Sequence, residues 1–372
     1  MKKIIRMIIS SAMVTCLLCS CTKDNAAVDN EAAEEKPREV TLILDPNAGA
    51  AGTEENAEQV KPEESQPDDE SGETAEGDGN ASDSPEGTVS EDGDGDEGTV
   101  SEPSAEADSG ESEATVIDGL TVSTVSLTDS MTYASFSAIR TGSATLYKNP
   151  DSARGKYVVC VNAGHGTSGG QSVKTQCHPD GSPKVTGGTT GAGATTAVAV
   201  SSGMTFGDGK SEASVTLAQA LILKEMLLSK GYSVLMIRET DDVQLDNVAR
   251  TVLANQYADC HIALHWDSSE SDKGAFYCSV PDVASYRAME PVAGTWQKSH
   301  ALGDSIIAGL KGQGIKIMSS GSMAIDLTQT SYSSIPSIDL ELGDKASDHS
   351  ESRLRLNAAG IIDGLDAFFG IN

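Results

Sequence analysis

The sequence is poor in aromatic and basic residues. Aromatic side chains make up 4% of its 372 residues, and 26 Lys and Arg stand against 56 Asp and Glu, for a net charge of −30. A nucleic-acid-binding protein needs clustered basic side chains to neutralise phosphates, so this balance argues against a nucleic-acid partner. The sequence also lacks a G-x-S-x-G nucleophile elbow, because its one match to that pattern, 166–170, leads into a Gly-rich stretch instead of a predicted helix. Nor does a cysteine stand at a strand-to-helix turn with a recognisable histidine partner. These absences disfavour serine and cysteine hydrolases.

The negative charge is concentrated in one segment. Residues 22–115 hold 30 acidic and 4 basic residues and no Trp, Phe or Tyr, whereas residues 116–372 carry a net charge of only −7. A segment with so little apolar surface cannot offset the entropy lost on ordering. Residues 21–117 are therefore predicted to be a disordered acidic tether, in which only 39–45 could form a short strand.

The first residues predict an export signal. Three basic residues precede an apolar stretch, 7–18, that is too short to span the roughly 30 Å hydrocarbon core of a bilayer. The stretch ends in Leu-Cys-Ser-Cys, which resembles the lipobox of bacterial lipoproteins and implies that Cys21 carries a lipid. We expect residues 1–20 to be a lipoprotein signal peptide and the protein to be extracytoplasmic, anchored to the cell membrane through that lipid. The alternative is an ordinary signal peptide.

Residues 118–372 alternate between predicted strands and helices. This alternation favours a single three-layer α/β domain with a largely parallel central sheet and helices on both faces. A Gly-, Ser- and Thr-rich insertion at about 167–210 interrupts it and is expected to be either a functional lid or disordered. The predicted strands are 157–161, 232–237, 261–265, 275–280, 315–318 and 335–342, and the predicted helices are 214–230, 245–257, 295–311 and 351–369.

Four side chains able to do chemistry stand at the ends of these elements. His165, His265 and Glu341 each follow or end a strand, and Glu212 opens the helix at 214–230. Ligands bind at the carboxyl edge of an open α/β sheet, so we expect the four residues to meet there. Two imidazoles and a carboxylate are a ligand set for catalytic zinc, with a fourth position left for water. Spacing alone leaves open whether His165, Glu212 and His265 form one site or are unrelated.

The other histidines are interpreted as structural or surface residues. On a strand, His261 and His265 would lie about 13 Å apart, too far to share one metal ion. His261 is therefore expected to be a packing or solvent-edge residue. His178, His300 and His349 have no comparable placement and are predicted to lie on the surface.

Four segments carry the chemical residues in the order of a known family. They are Val161-Asn-Ala-Gly-His-Gly166, Ser211-Glu212, the stretch from Arg250 through Asp259 to His265, and Pro336-Ser-Ile-Asp-Leu-Glu-Leu-Gly343. Together they resemble the zinc-dependent N-acetylmuramoyl-L-alanine amidases of the family 3 type over about residues 157–370. The resemblance implies one zinc ion held by His165, Glu212 and His265, and a catalytic Glu341. It also covers Arg250 and Asn255, which we interpret as structural, in an ion pair and a helix cap.

The resemblance implies that the protein hydrolyses the amide between N-acetylmuramic acid and L-Ala of the peptidoglycan stem peptide. Zinc would activate a water molecule, and Glu341 would pass the proton of that water to the leaving amine. Peptidoglycan is then the substrate, and a lipid on Cys21 would hold the enzyme at the membrane, facing the cell wall. The sequence identifies no activator protein.

The sequence departs from the family around the predicted site. The 166–211 connection is far longer than usual, Trp266-Asp267 follows the second His, and Asp344 stands where an aromatic residue is expected. These departures leave two other classes open: a cell-wall binding module without turnover, and a zinc peptidase that cuts within the stem peptide.

The role of the cysteines in the predicted domain is also open. Cys160 and Cys260 each precede a predicted metal ligand by five residues. They could form a disulfide in an exported protein or remain two buried thiols. Cys177 and Cys278 are left undecided.

Overall fold

The computed structural model describes residues 110–371. The predicted signal peptide, Cys21 and the short strand predicted at 39–45 lie outside these residues. The described part begins within the predicted tether, because the segment from Gly110 to Ile117 lies along the edge of the sheet. Within the described residues, no helix combines the length and the apolar character needed to cross a membrane.

The described chain forms eleven strands and six α-helices. The strands are β1 (Thr115–Ile117), β2 (Leu120–Ser126), β3 (Ser143–Lys148), β4 (Val158–Ala163), β5 (Lys174–Gln176), β6 (Thr196–Val198), β7 (Ser233–Met236), β8 (Cys260–Asp267), β9 (Ala275–Ser279), β10 (Ile317–Ala324) and β11 (Ser337–Asp344). The helices are α1 (Glu212–Ser229), α2 (Asn247–Tyr257), α3 (Ala284–Ala288), α4 (Val292–Gly312), α5 (Thr328–Tyr332) and α6 (Glu351–Phe368). Every strand and helix predicted between 157 and 369 is present, with shifted ends.

Nine of these strands form one sheet in the order β1-β2-β3-β7-β4-β8-β11-β9-β10. The four central strands, β7, β4, β8 and β11, are parallel to one another. Strands β1 to β3 add to one side in antiparallel fashion, and β9 pairs antiparallel with β11 on the other. The predicted α/β domain with a mostly parallel sheet is confirmed for this centre. Strands β5 and β6 form a separate hairpin within the 167–210 insertion.

The central strands are buried because apolar side chains cover both of their faces. On β4, Val159 and Val161 belong to a core cluster shared with α1, α4 and α6, whereas Cys160 belongs to a second cluster shared with α2. Successive side chains of a strand point to opposite faces, so the two clusters lie on opposite sides of the sheet. The parallel carboxyl ends therefore open at one edge, where polar side chains can meet.

Helices α4 and α6 pack closely through glycines. A Cβ added at Gly364 would lie 2.4 Å from the Cα of Ile306, and one added at Gly309 would lie 2.2 Å from the carbonyl oxygen of Gly360. Both distances are shorter than any van der Waals contact, so neither position has room for a methyl group. The contact depends on hydrogen as the side chain.

Gly364→Ala is expected to destabilise the domain. Alanine favours a helix over glycine by up to about 1 kcal/mol, but overpacking against α4 costs about 1–3 kcal/mol or more. Because the clash is with backbone atoms, we expect the free energy of unfolding to fall, measured by chemical denaturation of the full-length protein. Gly312→Ala is the matched control, since a Cβ there meets no atom within 4 Å. Equal stabilities for the two variants would contradict close packing of α4 on α6.

Candidate metal centre

Three of the four predicted site residues come from neighbouring strands at the carboxyl edge, and the fourth, Glu212, opens α1. Strand β4 ends at Ala163 and is followed by Gly164 and His165, and β8 carries His265 beside it. On the other side of β8, Glu341 of β11 is the Cα partner of His265. The structure thus brings together the side chains that sequence spacing only suggested.

Two buried arginines hold the turn that carries His165. Arg250 donates from Nη2 to the carbonyl oxygen of His165 at 2.6 Å and from Nη1 to Oδ1 of Asn162 at 3.1 Å. Arg238 donates to the carbonyl oxygens of Ala163 and Gly164. His165 has a φ of 61°, an uncommon backbone conformation for a residue other than glycine. Such strain persists only where surrounding contacts impose it, as these guanidinium groups do.

Glu212 is fixed as the first residue of α1. Ser211 caps the helix, with its Oγ accepting a hydrogen bond from the amide of Ser214 at 3.2 Å. A carboxylate in the first turn is stabilised by the positive end of the helix dipole. Glu212 also accepts from the amide of Trp266 on Oε1 and from that of Met204 on Oε2, at 3.1 and 3.0 Å.

Three side-chain atoms converge on one point. Nε2 of His165 lies 2.8 Å and Nδ1 of His265 lies 3.1 Å from the same oxygen, Oε1 of Glu212, and the two nitrogens are 3.1 Å apart. Ligand atoms around a tetrahedral zinc ion are separated by about 3.3 Å. The spacing of these atoms therefore fits a zinc ion.

The hydrogen bond behind His165 supports the same conclusion. Nδ1 of His165 donates to the carbonyl oxygen of Ser201 at 2.8 Å, which fixes the proton on that nitrogen. In the neutral imidazole, Nε2 then directs its lone pair towards the carboxylate of Glu212. A cation bound between the two groups would stabilise this arrangement.

Two glycines leave the space that these ligands need. A Cβ at Gly164 would lie 2.3 Å from Cε1 of His265, and one at Gly203 would lie 2.8 Å from Cδ2 of His165 and 2.9 Å from Oε2 of Glu212. Gly203 belongs to the 167–210 insertion, as does Ser201. The insertion is ordered and lies against the predicted ligands.

Burial and neighbouring charged groups shift the pKa values of the site residues. Burial disfavours the ionised form of Glu212, but the imidazoles of His165 and His265 beside its Oε1 outweigh burial and lower the pKa of Glu212. Burial disfavours the cationic form of His265, but the nearby carboxylates, Asp339 first among them, raise its pKa to about 10. Burial raises the pKa of Glu341 well above its usual range, and neighbouring Asp339 adds to this. Glu341 is therefore suited to holding a proton near neutral pH.

Sequence reasoning missed Asp339 and Arg238. Asp339 lies two residues before Glu341 on the same face of β11, and its Oδ2 lies 3.7 Å from Nε2 of His265. The two-residue period of a strand was the signal that could have identified it. Arg238 follows strand β7 at the same edge as His165, a position that was equally visible in the sequence.

The prediction of a surface position for His178 was wrong. His178 is 1% exposed, and its Nε2 lies 3.3 Å from Oδ2 of Asp326, a carboxylate with no exposed surface. Lys184 and Thr186 reach the same carboxylate at 2.7 and 2.8 Å. This buried group attaches the insertion to the segment after β10, a long-range contact that no local pattern reveals. His300 and His349 are half-buried.

Several structural expectations are now resolved. His261 is fully buried, with Nε2 lying 3.2 Å from Nδ2 of Asn162, so it is a packing residue. Arg250 binds neutral oxygens instead of forming the expected ion pair. Asn255 binds the C-terminal end of α5, where its Nδ2 donates to the carbonyl oxygen of Tyr332 and its Oδ1 accepts from the amide of Ser334, as expected of a helix-end cap. The cysteines among the described residues, Cys160, Cys177, Cys260 and Cys278, are buried free thiols, so no disulfide joins the first and third of them.

The residues that depart from the family have local structural roles. Trp266 is buried and contacts Phe206 edge to face. Asp267 pairs with Lys273, and Asp344 accepts hydrogen bonds from the amides of Lys273 and Ala346. These contacts hold the loop after β8 against the loop after β11, which leaves the ligand positions intact.

The site opens into a cleft with a volume of about 620 Å³. Its walls include the predicted ligands, Glu341 and Asp339, together with insertion residues such as Lys184 and Thr189. The cleft can therefore admit a ligand to the point where the ligand atoms converge.

Comparison with known proteins shows which part of the chain matches a known family. A family model described as N-acetylmuramoyl-L-alanine amidase matches residues 159–359. Among solved structures, the chain is similar to the N-acetylmuramyl-L-alanine amidase Ami1 from Mycobacterium smegmatis, with 18% identity over 58% of this chain and 98% of that one and a TM-score of 0.48. An amidase from Clostridium difficile 630 shows 16% identity, coverage of 57% and 97%, and a TM-score of 0.42. The catalytic domain of CwlV from Bacillus (Paenibacillus) polymyxa var. colistinus shows 18% identity, coverage of 58% and 99%, and a TM-score of 0.40. No curated protein matches the chain significantly.

Gly164→Ala is expected to weaken zinc binding by about 10- to 100-fold, the range typical of changes behind a metal ligand. The added methyl group would displace His265 without altering any donor atom. Affinity is measured on metal-free full-length protein by competition with a chromophoric chelator. Gly207→Ala is the control, because a Cβ there meets nothing within 4 Å. Unchanged affinity in Gly164→Ala would mean that His265 does not bind the ion.

Proposed function

The chain belongs to the N-acetylmuramoyl-L-alanine amidase family and is a peptidoglycan amidase, and on that premise we propose how its residues cleave the bond. One zinc ion is held by His165, Glu212 and His265, and Glu341 is the catalytic acid and base. The observation that carries the proposal is the convergence of two imidazole nitrogens on one carboxylate oxygen, with Glu341 paired opposite His265. The bond cleaved is the amide between N-acetylmuramic acid and L-Ala of the stem peptide.

Each group has a distinct chemical task. When bound, zinc supplies Lewis-acid polarisation of the amide carbonyl and activation of water. Glu341 accepts the proton of the attacking water and returns it to the departing amine of L-Ala. Its raised pKa matches this use, because a carboxyl group that readily holds a proton near neutral pH can also deliver one. Arg250 and Arg238 keep His165 in place throughout.

The two faces of the sheet support the predicted three-layer arrangement, since separate apolar clusters cover them. The open edge between those layers is where the substrate would enter. An open cleft of this kind can admit a stem peptide while the glycan strand to which the peptide is attached remains outside.

Glu341→Gln is expected to reduce kcat on peptidoglycan by about 10²- to 10⁴-fold, because the amide cannot accept the proton of water. The same variant should still bind zinc at the His165, Glu212 and His265 site. Turnover is followed by mass spectrometry of the products released by the full-length protein. Glu225→Gln, at an exposed position on α1, is the matched control and should retain the wild-type rate. Wild-type turnover by Glu341→Gln would rule out this assignment.

The products of the wild-type protein separate the proposed reaction from its alternatives. Free stem peptides that begin with L-Ala, and that disappear when a zinc chelator is added, indicate the proposed amidase reaction. Stem peptides cut internally and still attached to sugar would indicate a peptidase. Intact glycopeptides together with bound zinc would indicate a binding module or an enzyme that requires an activator protein.

We also propose that the chain is a lipoprotein anchored through Cys21, with a tether that ends where the sheet-edge segment begins at Gly110. The lipobox-like sequence and the acidic composition support this. At about 5–6 Å times the square root of its length, a chain of 88 residues (22–109) spans roughly 50 Å, and like charges extend it further. Such a reach would let the folded domain sample the cell wall from the membrane.

Cys21→Ala is expected to release the protein from the membrane fraction, because the lipid attaches to that thiol. Cells producing each form are fractionated, and the protein is detected by immunoblotting. Cys19→Ala, two residues away, is the control and should remain with the membranes. A Cys21→Ala protein that still sediments with membranes would contradict the lipid anchor.

A further inference from the structure

A second group of metal-ligating side chains lies next to the proposed zinc site. Cys278 on β9 is the Cα partner of Asp339 on β11, and Glu341 lies two residues further along the same face of β11. The thiol sulfur and one oxygen of each carboxylate all lie within 4.8 Å of one another. Strand pairing therefore brings three potential ligands together.

These ligands have few partners of their own. Oδ1 of Asp339 and Oε2 of Glu341 are buried atoms that receive no hydrogen bond from the described residues. Cys278 is 5% exposed and is a free thiol. Within the described residues, His265 alone reaches this group as an ion-pair partner, at 3.7 Å from Asp339. Buried polar atoms without partners are uncommon in folded proteins and often mark an ion or a water molecule that binds there.

We propose that Cys278, Asp339 and Glu341 form a second zinc site, distinct from the His165, Glu212 and His265 site. A sulfur ligand selects zinc over magnesium or calcium, which prefer oxygen ligands. On binding, the Cys278 S–H bond breaks, a sulfur–zinc bond forms, and the proton passes to solvent. Any proton held by Asp339 or Glu341 passes to solvent as well, and each carboxylate then binds through an oxygen lone pair.

Filling this second site inhibits hydrolysis, a consequence that rests on the proposed role of Glu341. A carboxylate oxygen that binds a cation cannot accept the proton of water at the same time. Zinc at the first site therefore activates the enzyme, and zinc at the second site removes its base. Activity should rise and then fall as the zinc concentration increases.

Cobalt reports the proposed site without any turnover. Metal-free, reduced full-length protein is titrated with Co²⁺, and the bound metal is counted by elemental analysis. We expect two ions per chain, with thiolate-to-cobalt charge-transfer absorption in the near ultraviolet. Cys278→Ser should bind one ion and lose that absorption. Cys260→Ser, which removes another fully buried thiol, should keep both ions and the absorption.

A single cobalt ion without thiolate absorption in the wild type, or absorption that persists in Cys278→Ser, would overturn the proposal. Asp339→Asn provides a second variant and should also lower the number of ions to one. In the activity assay, each protein is compared with its own maximum, and the decline at high zinc should disappear in Cys278→Ser. Because the cobalt measurement needs no substrate, a failure of the proposed amidase mechanism would leave its result standing, and the reverse also holds.

Discussion

The structure of the site depends on the hydrogen bonds that Arg250 makes to the turn after β4. That guanidinium group is almost fully buried and binds Asn162, Ala163 and His165 through neutral oxygens. A buried cation without a carboxylate partner is costly, and several well-aligned acceptors are needed to retain it. These acceptors are the backbone and side chain of the turn itself. The burial of the Arg250 guanidinium group and the strained backbone of His165 therefore depend on each other. This mutual dependence explains how a non-glycine residue keeps a φ of 61° there.

The carboxyl edge of the sheet, which includes this turn, carries more acidic side chains than Lys or Arg side chains near the candidate metal site. Glu212 is stabilised as an anion by two histidines and by the start of α1, whereas Asp339 and Glu341 are held in a buried environment that favours their protonated forms. Glu212 is thus ionised without any bound metal, whereas Asp339 and Glu341 must release a proton before they can bind a cation. The difference arises from position: Glu212 receives backbone amides, while Oδ1 of Asp339 and Oε2 of Glu341 receive none among the described residues.

Sequence patterns predicted the fold and the edge where the candidate ligands meet, because both follow from local rules, whereas the assignment of those residues to zinc came from the family resemblance. Alternation of strands with helices indicated where the carboxyl edge would be, and His165, Glu212 and His265 were visible as polar residues at element ends. The patterns failed for His178 and Asp339. His178 is buried by contact with Asp326, nearly 150 residues later in the chain, and a Gly- and Ser-rich segment gives no periodic signal of such a contact. Asp339 shares a face of β11 with Glu341, as the two-residue period of a strand implies, and the pairing of β11 with β8 and β9 shows which side chains it meets there.

The 167–210 insertion is better understood as part of the site than as a separate lid. Its residues 201 to 204 supply the carbonyl oxygen that orients His165 and the amide that binds Glu212. Earlier in the insertion, His178 and Lys184 attach it to the buried carboxylate of Asp326. Removing the insertion from the cleft would therefore break the hydrogen bonds behind two proposed ligands and expose a buried charge. Because both costs arise together, the position of the insertion is coupled to the geometry of the candidate metal site. The insertion therefore supports the proposed ligands.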